Sequence, residues 1–267
     1  MSTRPHAIRR RLFLAIGLAG LALWGLRATV TTRQGVNFTV SNKPIPLYVK
    51  MLDFLHRDAH YRLLARQITA GLSSDEQRAL AVFDWTRRTI RPTPPGWPVT
   101  DDHILHIIIR EHGVSDQFAD VFATLTTYAG VPAFWKAIRL SEPGGGELVL
   151  SFVRLGDRWV VFDVWRGLIF TDEQGSFLSA DQLAADPQRA DALVGTLQIG
   201  TLPYSRYFSQ PTFLKVPELL RAQLQMPWPR LAYEMRRALH LAPQTEAARL
   251  QFPDLAVAAD AAGRELP

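Results

Sequence analysis

Apolar positions recur at helical spacing along the first half of the chain. Leu52, Leu55, Tyr61, Leu64 and Ile68 form one stripe, predicting a helix over 47–70 that Gly71 ends. Ser73 with Glu76 three residues on reads as a capping box for a second helix. That helix carries Leu80, Phe83 and Ile90 on one face, with Trp85 beside them. Pro92, Pro94, Pro95 and Pro98 then break regular structure across 91–100, a loop that holds Gly96 and Trp97. A helical stretch over 101–112 stops at Gly113. A stronger one starts at Ser115, with Phe118, Phe122, Leu125 and Ala129 at a period of 3.6, and ends at Gly130-Val131-Pro132.

The pattern then changes to strands, over 133–140, 147–155 and 158–165. The first two are separated by the turn 141–146. Gly156-Asp157 joins the second pair as a hairpin. Beyond Thr171 the pattern is irregular, with short helices predicted at 179–185, 190–194 and 218–224 and a longer one at 231–241. The last presents Leu231, Met235, Ala238 and Leu239 on one side and Arg236 and Arg237 near the other, a face suited to an anionic membrane or to docking on the domain. Residues 31–50 show no helical period and contain Pro44 and Pro46, so they read as an extended linker.

The N-terminus stands apart. Arg9, Arg10 and Arg11 precede an unbroken apolar run over 12–26. A basic segment followed by such a run is an export signal. Fifteen helical residues span about 22 Å, and extension to Val30 with Arg27 reaching the interface gives about 28 Å, against a hydrocarbon core of ~30 Å. Ala28-Thr29-Val30 is a poor cleavage site, so residues 1–33 read as a signal-anchor, with a cleaved signal as the alternative. The arginine cluster orients the body to the outer, periplasmic or extracellular, side of the cytoplasmic membrane. The membrane contact is assigned to residues 12–30.

Charge supports this division. The pI is about 9.8. Residues 1–33 hold six arginines and no acid, leaving 24 basic against 25 acidic residues in the body. The basicity belongs to the N-terminal segment, and the body has no overall field to attract nucleic acid. The chain contains no cysteine, which excludes disulfides, thiolate metal sites and a thiol nucleophile.

Gly113-Val114-Ser115-Asp116-Gln117-Phe118-Ala119, then Ala129-Gly130-Val131-Pro132-Ala133, then Gly156-Asp157-Arg158-Trp159-Val160-Val161-Phe162-Asp163 occur in this order. Together they resemble the transglutaminase-like superfamily, a papain-type fold. The resemblance runs from about Glu76 to Asp163. It implies an α+β fold, a core of helices packed on an antiparallel sheet over 51–175. The N-terminal membrane segment and a linker over 34–50 would precede it, and an irregular and helical extension over 176–267 would pack on it. It also implies a site in which a helix start carries a nucleophilic cysteine, a strand a histidine and the next strand an aspartate. Those positions fall here on Ser115, on Leu148 and on Asp163. A hydroxyl with no base to take its proton is a very weak nucleophile, and a helix dipole worth ~0.3–1 kcal/mol does not replace the base. Ser115 also has the chemistry of a helix cap.

The reading from these residues is a catalytically inactive, membrane-tethered domain that binds or scaffolds an envelope protein or polysaccharide, with no cofactor. Trp97, Asp116 and Gln117 are its candidate cleft residues, although a tryptophan among prolines also serves simply to pack its loop. The alternative is a hydrolase or acyl transferase in which His103 or His106 serves Ser115. A further alternative is a metal site of Asp102, His103 and His106. His56 and His60 lie one helical turn apart, but the glutamate of the zinc protease motif is missing between them.

Overall fold

The computed structural model describes residues 23–241, except 38, 102, 211, 212, 218 and 240, together with scattered positions between 13 and 21. Positions 12, 14, 15, 18, 19 and 22 of the apolar run over 12–26 lie outside the described residues. Its described positions are helical as far as Leu26. Among the described residues no helix is long and apolar enough to cross a membrane.

The expected continuation of that helix to Val30 does not occur. Strand β1 (Thr29–Val36) begins there and pairs with β2 (Thr39–Pro46) in an antiparallel hairpin. The segment read as a linker is therefore a hairpin. Asn37 turns it at φ 47°, and its side-chain Oδ1 accepts from Val99 N at 2.9 Å. β1 also pairs with β4 (Thr100–Asp101). The hairpin is mostly exposed, so no alternation of apolar and polar residues marks it, and register is held by backbone hydrogen bonds.

Helix α1 (Leu47–Ile68) follows directly, then α2 (Asp75–Thr89), α3 (Ile104–Arg110) and α4 (Ser115–Tyr128). The cap of α2 is one residue later than expected. Gln77 N donates to Ser74 Oγ at 3.1 Å, and Ser74 N to Gln77 Oε1. The predicted stripe of α1 holds only in its second half. Tyr61, Leu64 and Ile68 meet the core, whereas Leu52 and Leu55 are exposed.

The main sheet has the order β6-β7-β8-β9, all antiparallel: Ala133–Arg139, Glu147–Leu155, Arg158–Asp163 and Leu168–Ile169. Its central strands are covered on both faces, which explains their nearly continuous apolar run. Val153, Val160 and Phe162 face α2 and α4, in one cluster with Phe83, Phe118 and Phe122. Leu148, Leu150, Phe152 and Val161 face the other way.

Their partners come from the C-terminal part. Helices α5 (Ala180–Ala185), α6 (Gln188–Val194) and α7 (Tyr204–Phe208), with the small hairpin β10–β11 (Gln198–Ile199 and Leu202–Pro203), bring Leu183, Ala190, Ile199, Tyr204, Tyr207 and Phe208 onto that face. Tyr207 OH also lies 2.9 Å from Gly146 N, and a Cβ on Gly144 would meet Thr201 Oγ1 at 2.0 Å. The glycine-rich turn over 141–146 is thus a close approach to the extension. The helix expected over 218–224 is only a single 3-10 turn (Gln223–Gln225), and helix α8 (Pro227–Ala238) starts earlier than expected.

Candidate functional site

The start of α4 is built by its neighbours. The loop after α2 runs parallel to the residues before α4 as the short pair β3 (Arg91–Pro92) and β5 (His112–Gly113). This pairing carries Trp97 onto His112, ring centroids 5.3 Å apart and edge to face. Trp97 stays 59% exposed, while Thr93 Oγ1 lies 3.4 Å from His112 Nδ1.

Ser115 is the first residue of α4. It is not the cap that its residue type suggests. Val114 holds that place, and Gln117 Oε1 accepts from Val114 N at 3.1 Å. The same oxygen accepts from Arg110 Nη2 at 3.0 Å, and Gln117 Nε2 donates to the Thr100 carbonyl at 2.7 Å. Gln117 is buried and engaged on both ends of its amide, so it does not line an open cleft. A Cβ on Gly113 would come within 2.8 Å of that Gln117 oxygen, which is why glycine stands there. Asp116 is half-buried in the first turn, where a carboxylate suits the helix dipole. The Ser115 side chain is half-buried.

Asp163 ends β8 with its side chain wholly buried. Its Oδ1 accepts from Arg166 N at 2.9 Å. Its Oδ2 accepts from Arg166 Nη1 at 3.0 Å and from Tyr204 OH at 2.7 Å. Burial and then the Asp163 charge push the Tyr204 hydroxyl above the ordinary phenol range, so it stays a proton donor. Leu148 is fully buried, opposite Ile138 across the strand pair, in the same apolar cluster as Tyr204.

His103 precedes α3, and its Nε2 is 4.0 Å from Asp53 Oδ2 on α1. Burial, then the nearby Arg57 charge, pull its imidazole down to about 4, against a smaller opposing effect of Asp53. His106 is exposed, with its ring centroid 6.0 Å from that of His103. Asp102 lies outside the described residues, and among the described ones no group of three or more His, Cys, Asp or Glu is placed to hold a metal. His56 and His60 face each other on α1, Nε2 to Nε2 3.0 Å.

The lowered His103 value makes folding depend on pH. Its contribution is fully present above the unfolded value near 6.5 and is lost as pH falls from there to about 4, because the unfolded chain then binds the proton first. His103→Gln is expected to flatten the fall in unfolding midpoint between pH ~7 and pH ~4.5. Identical slopes in the two proteins would remove His103 as a source of acid sensitivity.

Two features escaped the sequence reading. One is the Tyr204 and Arg166 clamp on Asp163. The other is Asp120 of α4, which accepts from Trp135 Nε1 at 2.9 Å and from Arg221 Nη2 at 2.6 Å. Tyr204 and Arg221 are 41 and 101 residues from their partners, and no local pattern announces such pairs.

Residues 62–164 match the model of the transglutaminase-like superfamily. No curated protein matches the chain. Among solved structures, a candidate cysteine protease from Cytophaga hutchinsonii matches at 16% identity and TM-score 0.36, over 45% of this chain and 41% of its own. A candidate protease from Parabacteroides distasonis matches at 10% identity and TM-score 0.33, over 49% of this chain and 37% of its own. A structure described as a TGase matches at 12% identity and TM-score 0.33, over 61% of this chain and 49% of its own. The chain thus spans less than half the length of each of these structures. Helices α2 and α4 and strands β6 to β8 all lie inside the matched segment, so this part of the chain is similar to the transglutaminase-like superfamily.

Proposed function

We propose that the protein is a membrane-tethered transglutaminase-like domain that has given up catalysis and serves as a binding or scaffolding component of the cell envelope. The observation that carries this reading is the state of Asp163. Three donors from Arg166 and Tyr204 occupy its two oxygens, so it is not held ready to orient an imidazole. The family resemblance puts Ser115 at the nucleophile position and Leu148 at the histidine position, and the chain has no cysteine. Leu148 is buried among apolar residues, so that position offers no base. The tether is assigned to the apolar run over 12–26, whose described part is helical to Leu26, with the body on the outer side. The partner is an envelope protein or polysaccharide, with exposed Trp97 and half-buried Asp116 beside the start of α4 as the surface to probe.

The test is the full chain exposed to a fluorophosphonate probe beside Ser115→Ala, with intact mass as the readout. No adduct on either protein is expected. Ser115→Ala is also expected to change stability by no more than about 0.5 kcal/mol, as for a surface position that caps nothing. An adduct on the wild type that disappears in the variant would establish an activated serine, and the inactive reading would fall.

A further inference from the structure

Trp228, Leu231 and Met235 of helix α8, with Leu239 at its C-terminal cap, follow at spacings of three, four and four residues, which places them on one face. All four are exposed, from 50% at Leu231 to 77% at Trp228. Tyr233, on the opposite side, is buried and anchors the helix to the domain. The apolar face therefore points away from the body. Arg236 borders it and makes no ion pair among the described residues, while Arg230 and Arg237 share the single carboxylate of Glu234. The helix thus carries three arginines against one acid.

A second apolar group lies at the start of α1, where Tyr48, Val49, Met51, Leu52 and Leu55 are exposed. The 3-10 turn at 223–225 packs against both α1 and α8. Burial and then the Arg230 charge lower the Lys50 ammonium from its ordinary range, so the first turn of α1 and α8 share one electrostatic neighbourhood. The apolar run reaches the domain at this same end. Leu47 N donates to the Ala28 carbonyl at 2.8 Å, two residues after the helical part of the run stops, and Lys50 Nζ donates to the Thr31 carbonyl at 2.8 Å.

We propose that the exposed faces of α8 and of the start of α1 form a docking surface for an anionic lipid bilayer, laying the domain against the membrane that the N-terminal run enters. This rests on the tether reading above. The charge and the continuity with the run select lipid as the occupant. Amphipathic helices of this composition bury their apolar face at the headgroup boundary, tryptophan favours that depth, and each arginine close to an anionic surface adds attraction. Docking at a second place would hold the start of α4 at a set height and orientation over the membrane.

The absence of native cysteine makes the test direct. Met235→Cys and, outside the surface, Leu193→Cys in the full chain each accept a single environment-sensitive dye; both sites are exposed, so neither change threatens the core. The proteins are reconstituted into vesicles of phosphatidylcholine with phosphatidylglycerol, and into phosphatidylcholine alone, with nitroxide lipid as quencher. Expected is flotation of both proteins, quenching at 235 but not at 193, and weaker quenching at 235 without the anionic lipid. Flotation with no quenching at 235 overturns the docking surface and leaves the tether standing. A dye at 235 that is shielded from water but unquenched by lipid also overturns it, and assigns the face to residues 242–267 or to a second copy of the chain. Failure to float at alkaline pH defeats the tether and the docking surface with it.

Discussion

Asp163→Ala is expected to destabilise the domain by about 3–5 kcal/mol, the usual cost of breaking a buried charged pair by removing one partner. The side chain is fully buried, and its loss strands a tyrosine hydroxyl and part of a guanidinium. Arg166 is 24% exposed and can turn toward water, whereas Tyr204 is buried and cannot. Most of the cost therefore falls on the Tyr204 hydroxyl and on the backbone amide of Arg166. Tyr204→Phe is expected to cost less, about 1–3 kcal/mol, because it removes one donor and leaves Asp163 with Arg166. Urea unfolding followed by near-ultraviolet circular dichroism measures both. A loss under ~1 kcal/mol for Asp163→Ala would mean that the carboxylate is not a keystone of the fold. It would then be a group held at a cost for some other task, and the inactive reading would lose its main support.

The same residue shows what a sequence can and cannot tell. Asp163 was singled out by the resemblance of Gly156 to Asp163 to the family pattern, while the hairpin itself was legible from its residues, and β7 and β8 lie where that pattern puts them. Its partner was not, because Tyr204 comes from a five-residue helix in a segment with no periodicity. Leu148 was legible as apolar, but its burial depends on α5 to α7 covering the second face of the sheet. The core does not stop near residue 175 in any energetic sense, since residues up to Leu220 close that cluster.

Elsewhere the signal was ambiguous in the chain itself. Ser73 with Glu76 and Ser74 with Gln77 are overlapping capping boxes, and the structure takes the second. Ser115 has the residue type of a cap, yet it stands as the first residue of α4, and the cap position falls on Val114, whose N–H donates to Gln117 Oε1. The hairpin β1–β2 left no pattern because neither face enters the core. Leu52 and Leu55 keep helical spacing without being buried, so spacing alone did not separate the core half of α1 from its exposed half.

Asp120→Ala is the other substitution from which a large effect is expected. Asp120 is buried on α4 and holds Trp135 of β6 with one oxygen and Arg221 with the other. Arg221 also lies over the Trp135 ring at 5.7 Å, so the three side chains form one unit across the core and the C-terminal part. Removing the carboxylate leaves an indole N–H without its acceptor and frees the guanidinium to swing to solvent, for a cost of about 2–4 kcal/mol. Only part of that is global. The chain around Arg221 is tied to the core by this pair and by the Tyr128 hydroxyl, which lies 2.8 Å from the Gln225 carbonyl. Local release of 220–241 is therefore expected before the sheet unfolds. Limited proteolysis should show early cuts there in Asp120→Ala, and the double-mutant cycle with Arg221→Ala should return a coupling of about 1–3 kcal/mol. Coupling near zero with an unchanged digestion pattern would mean that α8 is held by Tyr233 and the 3-10 turn alone. With coupling of the expected size, Asp120 sets how firmly the exposed face of α8 is presented, and loosening it should weaken any docking through that face without touching Ser115.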